Sequence, residues 1–165
     1  MDNRRILRHL MTGAWQLRRA FPPESLRRIE AAIHAAESRH DGQIRFAVEA
    51  SLELPALLRR LSARERALEV FSQLRVWDTE HNNGVLIYLL LADHDVEIVA
   101  DRGIHRQVGN VRWEAICRRM EEAFRQHRFE PGVLAGIEAV GEELARAYPK
   151  TGGPGNELAD APVLL

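Results

Sequence analysis

The sequence predicts an α/β fold, in which a small mixed β-sheet is sandwiched between helices in a single domain. The first observation is a strand–helix–strand unit, because an alternating segment from residue 43 and an apolar run from residue 84 flank a segment with helical spacing. A right-handed crossover makes two such strands parallel. The second observation is a short turn at Asp93–Asp95, which makes the following strand antiparallel. The third is the length of 165 residues, which suits one ordinary domain.

The helices are predicted from apolar residues that recur at helical spacing. Ser62 and Glu65 form a capping-box pattern, in which each side chain satisfies a backbone amide at the start of a helix. The predicted helices cover Arg4–Ala20, Glu24–Ser38, Ser62–Leu74, Trp113–Phe124 and Pro131–Leu144.

Three neighbouring strands are predicted, at Gln43–Ala50, Gly84–Ala92 and Val96–Ala100. The first alternates apolar and polar residues, which is typical of a strand with one buried face. The second is almost wholly apolar, which is typical of a central strand covered on both faces. Its two buried faces are predicted to carry Val85, Ile87 and Leu89 on one side and Leu86 and Leu90 on the other.

The chain divides into a basic amphipathic N-terminal helix in residues 1–22, a folded domain in residues 24–150 and an irregular tail in residues 151–165. Residues 1–30 hold seven arginines and three acidic residues, whereas the whole chain has a net charge of -1. This overall balance argues against a nucleic-acid partner. The basic helix fits binding to a protein or an anionic membrane surface. The alternative, and the commoner case for such helices, is docking on its own domain with solvated arginines.

Targeting signals are not found in the sequence, which predicts a cytoplasmic protein. No apolar run approaches the roughly 18 to 20 residues that span a bilayer. Arginines interrupt the apolar positions of the N-terminus, so it does not match a signal peptide. The single cysteine, Cys117, excludes an internal disulfide and is predicted to be a buried structural thiol.

Polar residues are predicted to converge at one edge of the sheet. In the predicted hairpin Gly84 lies beside Asp101, and a parallel first strand brings His40 and Asp41 to the same edge. Carboxylate and amide oxygens there could hold Ca²⁺ or Mg²⁺ weakly, and no other cofactor is indicated. The candidate ligands are Asp78, Asn82, Asn83 and Asp101. The alternative is that these side chains satisfy local backbone turns.

Isolated histidines and tryptophans are assigned to ordinary structural positions. The histidines predicted to lie on the solvated surface are His34, His40, His94 and His127. The tryptophans predicted to be core or helix-docking anchors are Trp15, Trp77 and Trp113.

The segment Asn82-Asn83-Gly84-Val85-Leu86-Ile87, followed by a hairpin and by Glu97-Ile98-Val99 leading to Gly103, resembles the TPM domain family. Gly42-Gln43-Ile44 and Phe129-Glu130-Pro131-Gly132 fall where that family places its first strand and last helix. The resemblance covers roughly residues 24–150 and is greatest to a short soluble proteobacterial branch.

This resemblance implies an α/β sandwich around a small mixed sheet. A chloroplast thylakoid member of the family is described as an acid phosphatase, and many bacterial relatives carry a signal peptide and a transmembrane segment. Two positions depart from the family pattern. Asn82 stands where aspartate is common, and Asp101-Arg102-Gly103 replaces a Gly-x-Gly turn.

Two functions follow as expectations, and whether the protein is an enzyme stays open. No nucleophile elbow, P-loop, zinc motif or dinucleotide-binding glycine pattern is present, which favours a non-catalytic interaction module. The alternative is a metal-dependent phosphatase resembling the thylakoid member, in which Arg102 and Arg106 are the candidates for contacting the phosphate.

Overall fold

The computed structural model describes residues 3–153 and 155–165. The helices are α1 (Asn3–Met11), α2 (Ala14–Ala20), α3 (Pro23–Glu37), α4 (Leu54–Leu58), α5 (Ala63–Gln73), α6 (Arg102–Val108), α7 (Asn110–Arg125) and α8 (Phe129–Ala147). The strands are β1 (Gln43–Glu49), β2 (Gly84–Leu90), β3 (Asp95–Ala100) and β4 (Val163–Leu164). A 3-10 turn at Leu91–Asp93 joins β2 to β3.

The strands form a mixed sheet in the order β3-β2-β1-β4. β1 and β2 are parallel, with Gln43 opposite Gly84, and β2 and β3 are antiparallel, with Val85 opposite Ala100. These orientations are the ones that the crossover and the short turn predict. β4 pairs in parallel with β1 and has no counterpart among the predicted elements.

Both faces of the sheet are covered by helices, which confirms the predicted fold class. On one face the side chains of Val85, Ile87 and Leu89 pack in a core built with α3, α7 and α8. On the other face Leu86 and Leu90 pack with residues of α4 and α5. The apolar run of β2 is fully buried because it separates these two cores.

The prediction of a single N-terminal helix over Arg4–Ala20 is wrong, because the chain breaks at Thr12 and Gly13 into α1 and α2. Glycine has a low helix propensity. The Gln16 side chain stabilises the break from both sides, since its Oε1 accepts from the Gly13 amide and its Nε2 donates to the Met11 carbonyl. Residues 1 and 2 of the predicted segment lie outside the described residues.

The predicted turn after β3 is instead the start of a helix. Asp101 is the N-cap of α6, and its Oδ1 accepts a hydrogen bond from the Arg102 amide at 2.7 Å. Aspartate at this position satisfies an amide that a helix leaves unpaired. The tail is irregular up to β4, where it runs along β1 and the Leu165 amide donates to the Val48 carbonyl at 2.9 Å.

Within the described ranges, no helix combines the length and apolar content that a bilayer span requires.

Candidate functional site

Three segments meet at the edge formed by the amino ends of β1 and β2 and the carboxyl end of β3. The Gln43 amide donates to the Asn83 carbonyl at 3.3 Å, and the Asp101 amide donates to the Gly84 carbonyl at 2.9 Å. The Asn83 side chain spans the gap to the loop before β1, because its Nδ2 donates to the Asp41 carbonyl at 3.0 Å. The sheet register therefore brings together the segments that the sequence predicts to converge here.

Gly103 allows the α6 backbone to approach the loop before β2 closely. A Cβ atom at this position would lie 2.6 Å from the Asn82 carbonyl oxygen and 2.8 Å from that of His81. The Asn82 carbonyl accepts from the Ile104 amide at 3.2 Å, and Asn82 itself has a φ of 50°. Asparagine tolerates this left-handed conformation better than most residues. Asn82 thus serves the backbone of the site, while its side chain is exposed.

Side-chain oxygens of four residues at this edge are buried without a hydrogen-bond partner. Two belong to predicted ligands, Oδ1 of Asn83 and Oδ2 of Asp101, and the other two are Oδ1 of Asp41 and Oε1 of Glu157. An unpaired buried acceptor costs about 1–3 kcal/mol, so such atoms ordinarily face a water molecule or an ion. Among the predicted ligands, Asn83 and Asp101 are therefore the ones with a buried oxygen that could accept a cation.

The fourth predicted ligand is differently placed. The Asp78 carboxylate is about half exposed and is paired with Arg75 at 2.8 Å on the surface of its own loop. The structure therefore brings Asn82, Asn83 and Asp101 together and leaves Asp78 engaged with a neighbouring cation. No group of three or more His, Cys, Asp or Glu side chains that could hold a metal ion occurs in residues 3–153 and 155–165.

His40 is fully buried, so its prediction as a solvated residue is wrong. Burial lowers the pKa of His40 to about 4. Next to it, the Asp41 carboxylate accepts from the amide and hydroxyl of Thr151, and the hydroxyl bond is the main cause of the lowered pKa of Asp41. The Nζ of Lys150 lies 3.5 Å from the same carboxylate. His40 is buried because the segment after α8 crosses the start of β1, a long-range contact that no local pattern predicts.

The C-terminal tail closes this edge of the sheet. The Oε1 of Gln43 accepts from the amides of Glu157 and Leu158 at 2.9 and 3.0 Å. The Glu157 carboxylate accepts in turn from the Glu80 amide at 2.9 Å, which ties the tail to the loop before β2. Glu157 is thus a further acidic residue near the predicted site, and no local sequence pattern marks it.

Cys117 is buried, as predicted. Burial raises the pKa of its thiol to about 12. The reactive form of cysteine is the thiolate, so this thiol is unsuited to nucleophilic chemistry.

A second polar site holds α1 against the domain by its charged face. The Asp93 carboxylate accepts from Arg5 at 2.9 Å and from Arg8, and the Nε2 of His9 lies 3.1 Å from it. The Leu52 amide donates to the Nδ1 of His9 at 2.9 Å, so the buried imidazole lies between Asp93 and the chain after β1. Docking of the helix on its own domain is therefore confirmed for α1, but Arg5 and Arg8 contact Asp93, and the docking face is the charged one, not the apolar stripe.

The opposite face of α1 presents its large apolar side chains to solvent. Leu7, Leu10 and Met11 are 58%, 66% and 67% exposed. Their spacing places them on one face of a helix. Trp15 in α2 is 65% exposed, with Arg19 stacked over its ring, and Trp77 is 47% exposed, so the prediction that they are core or helix-docking anchors is wrong. Trp113 is buried, as predicted. We call Leu7, Leu10 and Met11 the apolar face.

Comparisons with known proteins agree with this architecture. A family model described as the TPM domain matches residues 17–143. The BA42 protein from the psychrophilic bacterium Bizionia argentinensis is similar in structure, with 30% sequence identity, a TM-score of 0.75 and coverage of 86% of this chain and 93% of that one. No curated protein matches the chain.

Two more distant structures share the fold. One is the N-terminal domain of a protein from P. gingivalis, with 20% identity, a TM-score of 0.59 and coverage of 73% of this chain and 75% of that one. The other is the N-terminal domain of a protein from Corynebacterium glutamicum, with 13% identity, a TM-score of 0.55 and coverage of 78% and 77%.

Proposed function

Because the chain belongs to the TPM domain family, by a match that spans residues 17–143, we propose that it uses this fold as a non-catalytic interaction module for an anionic membrane surface. The observation that carries the proposal is the orientation of α1. The helix is held to the domain by Arg5, Arg8 and His9, and it leaves its apolar face in solvent.

An amphipathic helix of this kind binds a bilayer by burying its apolar face about 5–10 Å deep, below the headgroups. Leu7, Leu10 and Met11 supply that face, and Trp15 adds a side chain of the type that prefers the membrane interface. Docking of the polar side on the protein leaves the apolar side free to insert. The folded domain would then rest on the membrane as a peripheral protein.

The charge of this region favours lipid over protein as the partner. Residues 3–20 contain five arginines and no acidic residue, and two of the arginines, Arg5 and Arg8, are paired with Asp93. Arg18 has no acidic partner among the described residues and is exposed on α2. Each basic side chain near an anionic surface contributes about 1 kcal/mol of attraction. Anionic lipids are abundant on the cytoplasmic leaflet, so the proposal places the protein in the cytoplasm.

The double variant Leu10→Ser/Met11→Ser tests the proposal. We expect the wild-type protein to sediment with vesicles of phosphatidylcholine and phosphatidylglycerol and to remain in solution with phosphatidylcholine alone. Loss of two apolar side chains from the interface should reduce the partition coefficient about tenfold or more. Co-sedimentation at several lipid concentrations measures this coefficient.

Matched controls separate insertion from general surface changes. Val111 on α7 is 76% exposed, so Val111→Ser should leave vesicle binding unchanged. Arg18→Glu should weaken binding, whereas Arg118→Glu on α7 should not. If the wild-type protein ignores anionic vesicles, or if the double variant binds as well as wild type, the membrane proposal is wrong; retention by an acidic protein in its place would identify a protein partner.

A metal-dependent phosphatase is the second candidate function, and the unpaired oxygens of Asn83 and Asp101 favour it. A cation site with so few charged ligands should be weak, with a Kd of about 10⁻⁴ to 10⁻³ M. We expect Ca²⁺, Mg²⁺ or Mn²⁺ to shift the backbone amide resonances of residues 78–84 and 101–105, and Asp101→Asn to abolish those shifts. Hydrolysis of a phosphate ester should then require the metal and fall sharply in the same variant. Turnover that is independent of metal and of Asp101 would place the chemistry elsewhere.

A further inference from the structure

A cavity of about 630 Å³ lies at the edge of the sheet opposite to the one that holds Asn83 and Asp101. It opens beside the 3-10 turn at the carboxyl end of β2, between α2 and the connection from α7 to α8. Cavities of about 300–1,000 Å³ commonly hold small molecules. In open α/β sheets, ligands usually bind outside the carboxyl ends of the strands.

The lining combines cationic and apolar groups. Its charged and titratable side chains are Arg8, Arg19, Asp93, His94 and His127. The one acidic group of this lining, Asp93, is already paired with Arg5 and Arg8 and lies 3.1 Å from the Nε2 of His9. Arg19 has no acidic partner within residues 3–153 and 155–165, so the cavity carries uncompensated positive charge. Trp15, Phe129 and Leu91 provide the apolar surface.

The two histidines are held side by side by the backbone. Their ring centroids lie 6.1 Å apart, and the Phe129 ring lies 5.6 Å from His94 and 6.1 Å from His127. Both residues adopt the left-handed backbone conformation, with φ of 51° and 55°. The pKa of His94 is lowered by burial first and then by the charges of His127 and Arg8, which reflects the positive field in the cavity.

We propose that this cavity binds an amphipathic phosphate monoester, whose phosphate lies against Arg19, His94 and His127 and whose apolar part packs on Trp15 and Phe129. Arginine and imidazole N–H groups are strong donors to phosphate oxygens. The aromatic rings would cover a hydrocarbon chain. The proposal goes beyond membrane binding through the apolar face, because His94 and His127 belong to neither α1 nor α2.

Calorimetric and NMR titrations with octyl phosphate test this site. We expect binding with shifts of the imidazole resonances of His94 and His127 and of the Trp15 indole. Octanol and inorganic phosphate should each bind at least about tenfold more weakly than octyl phosphate, because each lacks one half of the recognised ligand. Equal affinity for octanol and octyl phosphate would overturn the proposal.

Two variants remove N–H donors of the proposed phosphate site with little change to the backbone. Asparagine tolerates left-handed φ, so His127→Asn should keep the fold. His127→Asn and Arg19→Gln should each weaken octyl phosphate binding about tenfold, whereas Arg118→Gln should bind as wild type. Wild-type affinity in both cavity variants would overturn the proposal.

A final pair of measurements separates this site from the apolar face and distinguishes a soluble ester from a lipid headgroup as the ligand. For the first purpose, the variant Leu10→Ser/Met11→Ser should retain octyl phosphate binding even though it loses vesicle binding. Two kinds of phosphatidylcholine vesicle are compared, one containing phosphatidic acid and the other phosphatidylglycerol. If a lipid headgroup is the ligand, His127→Asn should lower the affinity for the vesicles with phosphatidic acid more than the affinity for those with phosphatidylglycerol. If the ligand is a soluble ester, the variant should bind both vesicles as wild type does and lose affinity for octyl phosphate alone. Loss of octyl phosphate binding in the apolar-face variant would contradict a separate cavity site.

Discussion

Replacing Leu86 by aspartate is expected to leave the protein without a stable fold. Leu86 lies in the middle of β2, has no exposed surface and packs among the residues of the core formed with α4 and α5. A carboxylate placed there would have neither solvent nor a cationic partner. The free energy of unfolding should fall by more than about 4 kcal/mol, a large part of the roughly 5–15 kcal/mol that stabilises a native domain. Circular dichroism during urea titration measures the loss.

Two further substitutions keep this prediction measurable. Leu86→Ala removes the same side chain without adding charge and should cost about 2–5 kcal/mol in the free energy of unfolding. Leu68→Asp places the charge on an α5 residue that is 46% exposed, and it should cost less than about 1 kcal/mol. A Leu86→Asp protein that unfolds at the wild-type urea concentration would contradict the burial of this face.

Replacing Glu37 by glutamine is expected to change how stability depends on pH. Burial raises the pKa of Glu37 from its ordinary value of 4.5 to about 8, although the Ile44 amide donates to its carboxylate at 2.7 Å. The native protein therefore holds a proton that the unfolded chain releases between these two pH values. This contribution to stability is fully present below pH 4.5 and is lost as the pH rises to about 8.

Relative to wild type, Glu37→Gln should therefore become more stable as the pH rises from 5 to 8. The difference in the free energy of unfolding should change by about 2–4 kcal/mol over this interval. Urea titrations at each pH measure it. Glu142→Gln, on the exposed surface of α8, should give a curve parallel to that of wild type. A parallel curve for Glu37→Gln would show that this carboxyl group is charged in the native protein.

The central sheet could be predicted from the sequence because its signals are local. The apolar run of β2 and the short turn after it determine which residues of β2 and β3 face each other, and therefore which loops share an edge. β4 has no such signal, since it consists of two residues that become a strand only beside β1. The short α6 was missed because Gly103 lies inside it and its one buried residue, Ile104, creates no periodic pattern.

The surroundings of the candidate site depend on contacts between distant parts of the chain. Asn83 and Asp101 follow from the register of the strands. The burial of Glu37 and His40 does not, because it arises where α8 and the tail cross the start of β1. The orientation of α1 could not be predicted either. Its apolar spacing suggests a buried stripe, whereas Asp93, a carboxylate distant in sequence, pairs with Arg5 and Arg8 and places the charged face against the domain.

The break at Gly13 divides the N-terminal segment into two helices that are each too short to be stable in isolation. Nine residues in α1 and seven in α2 are each below the length of about 12–15 residues at which helix propagation begins to offset nucleation in water. Neither helix is therefore expected to persist by itself, and both depend on their attachment to the rest of the protein. The contacts of Asp93 with α1 and the burial of Leu17 in α2 supply the stabilisation that these short helices lack by themselves. We therefore expect each helix to form when it docks on the domain and to unfold when it detaches.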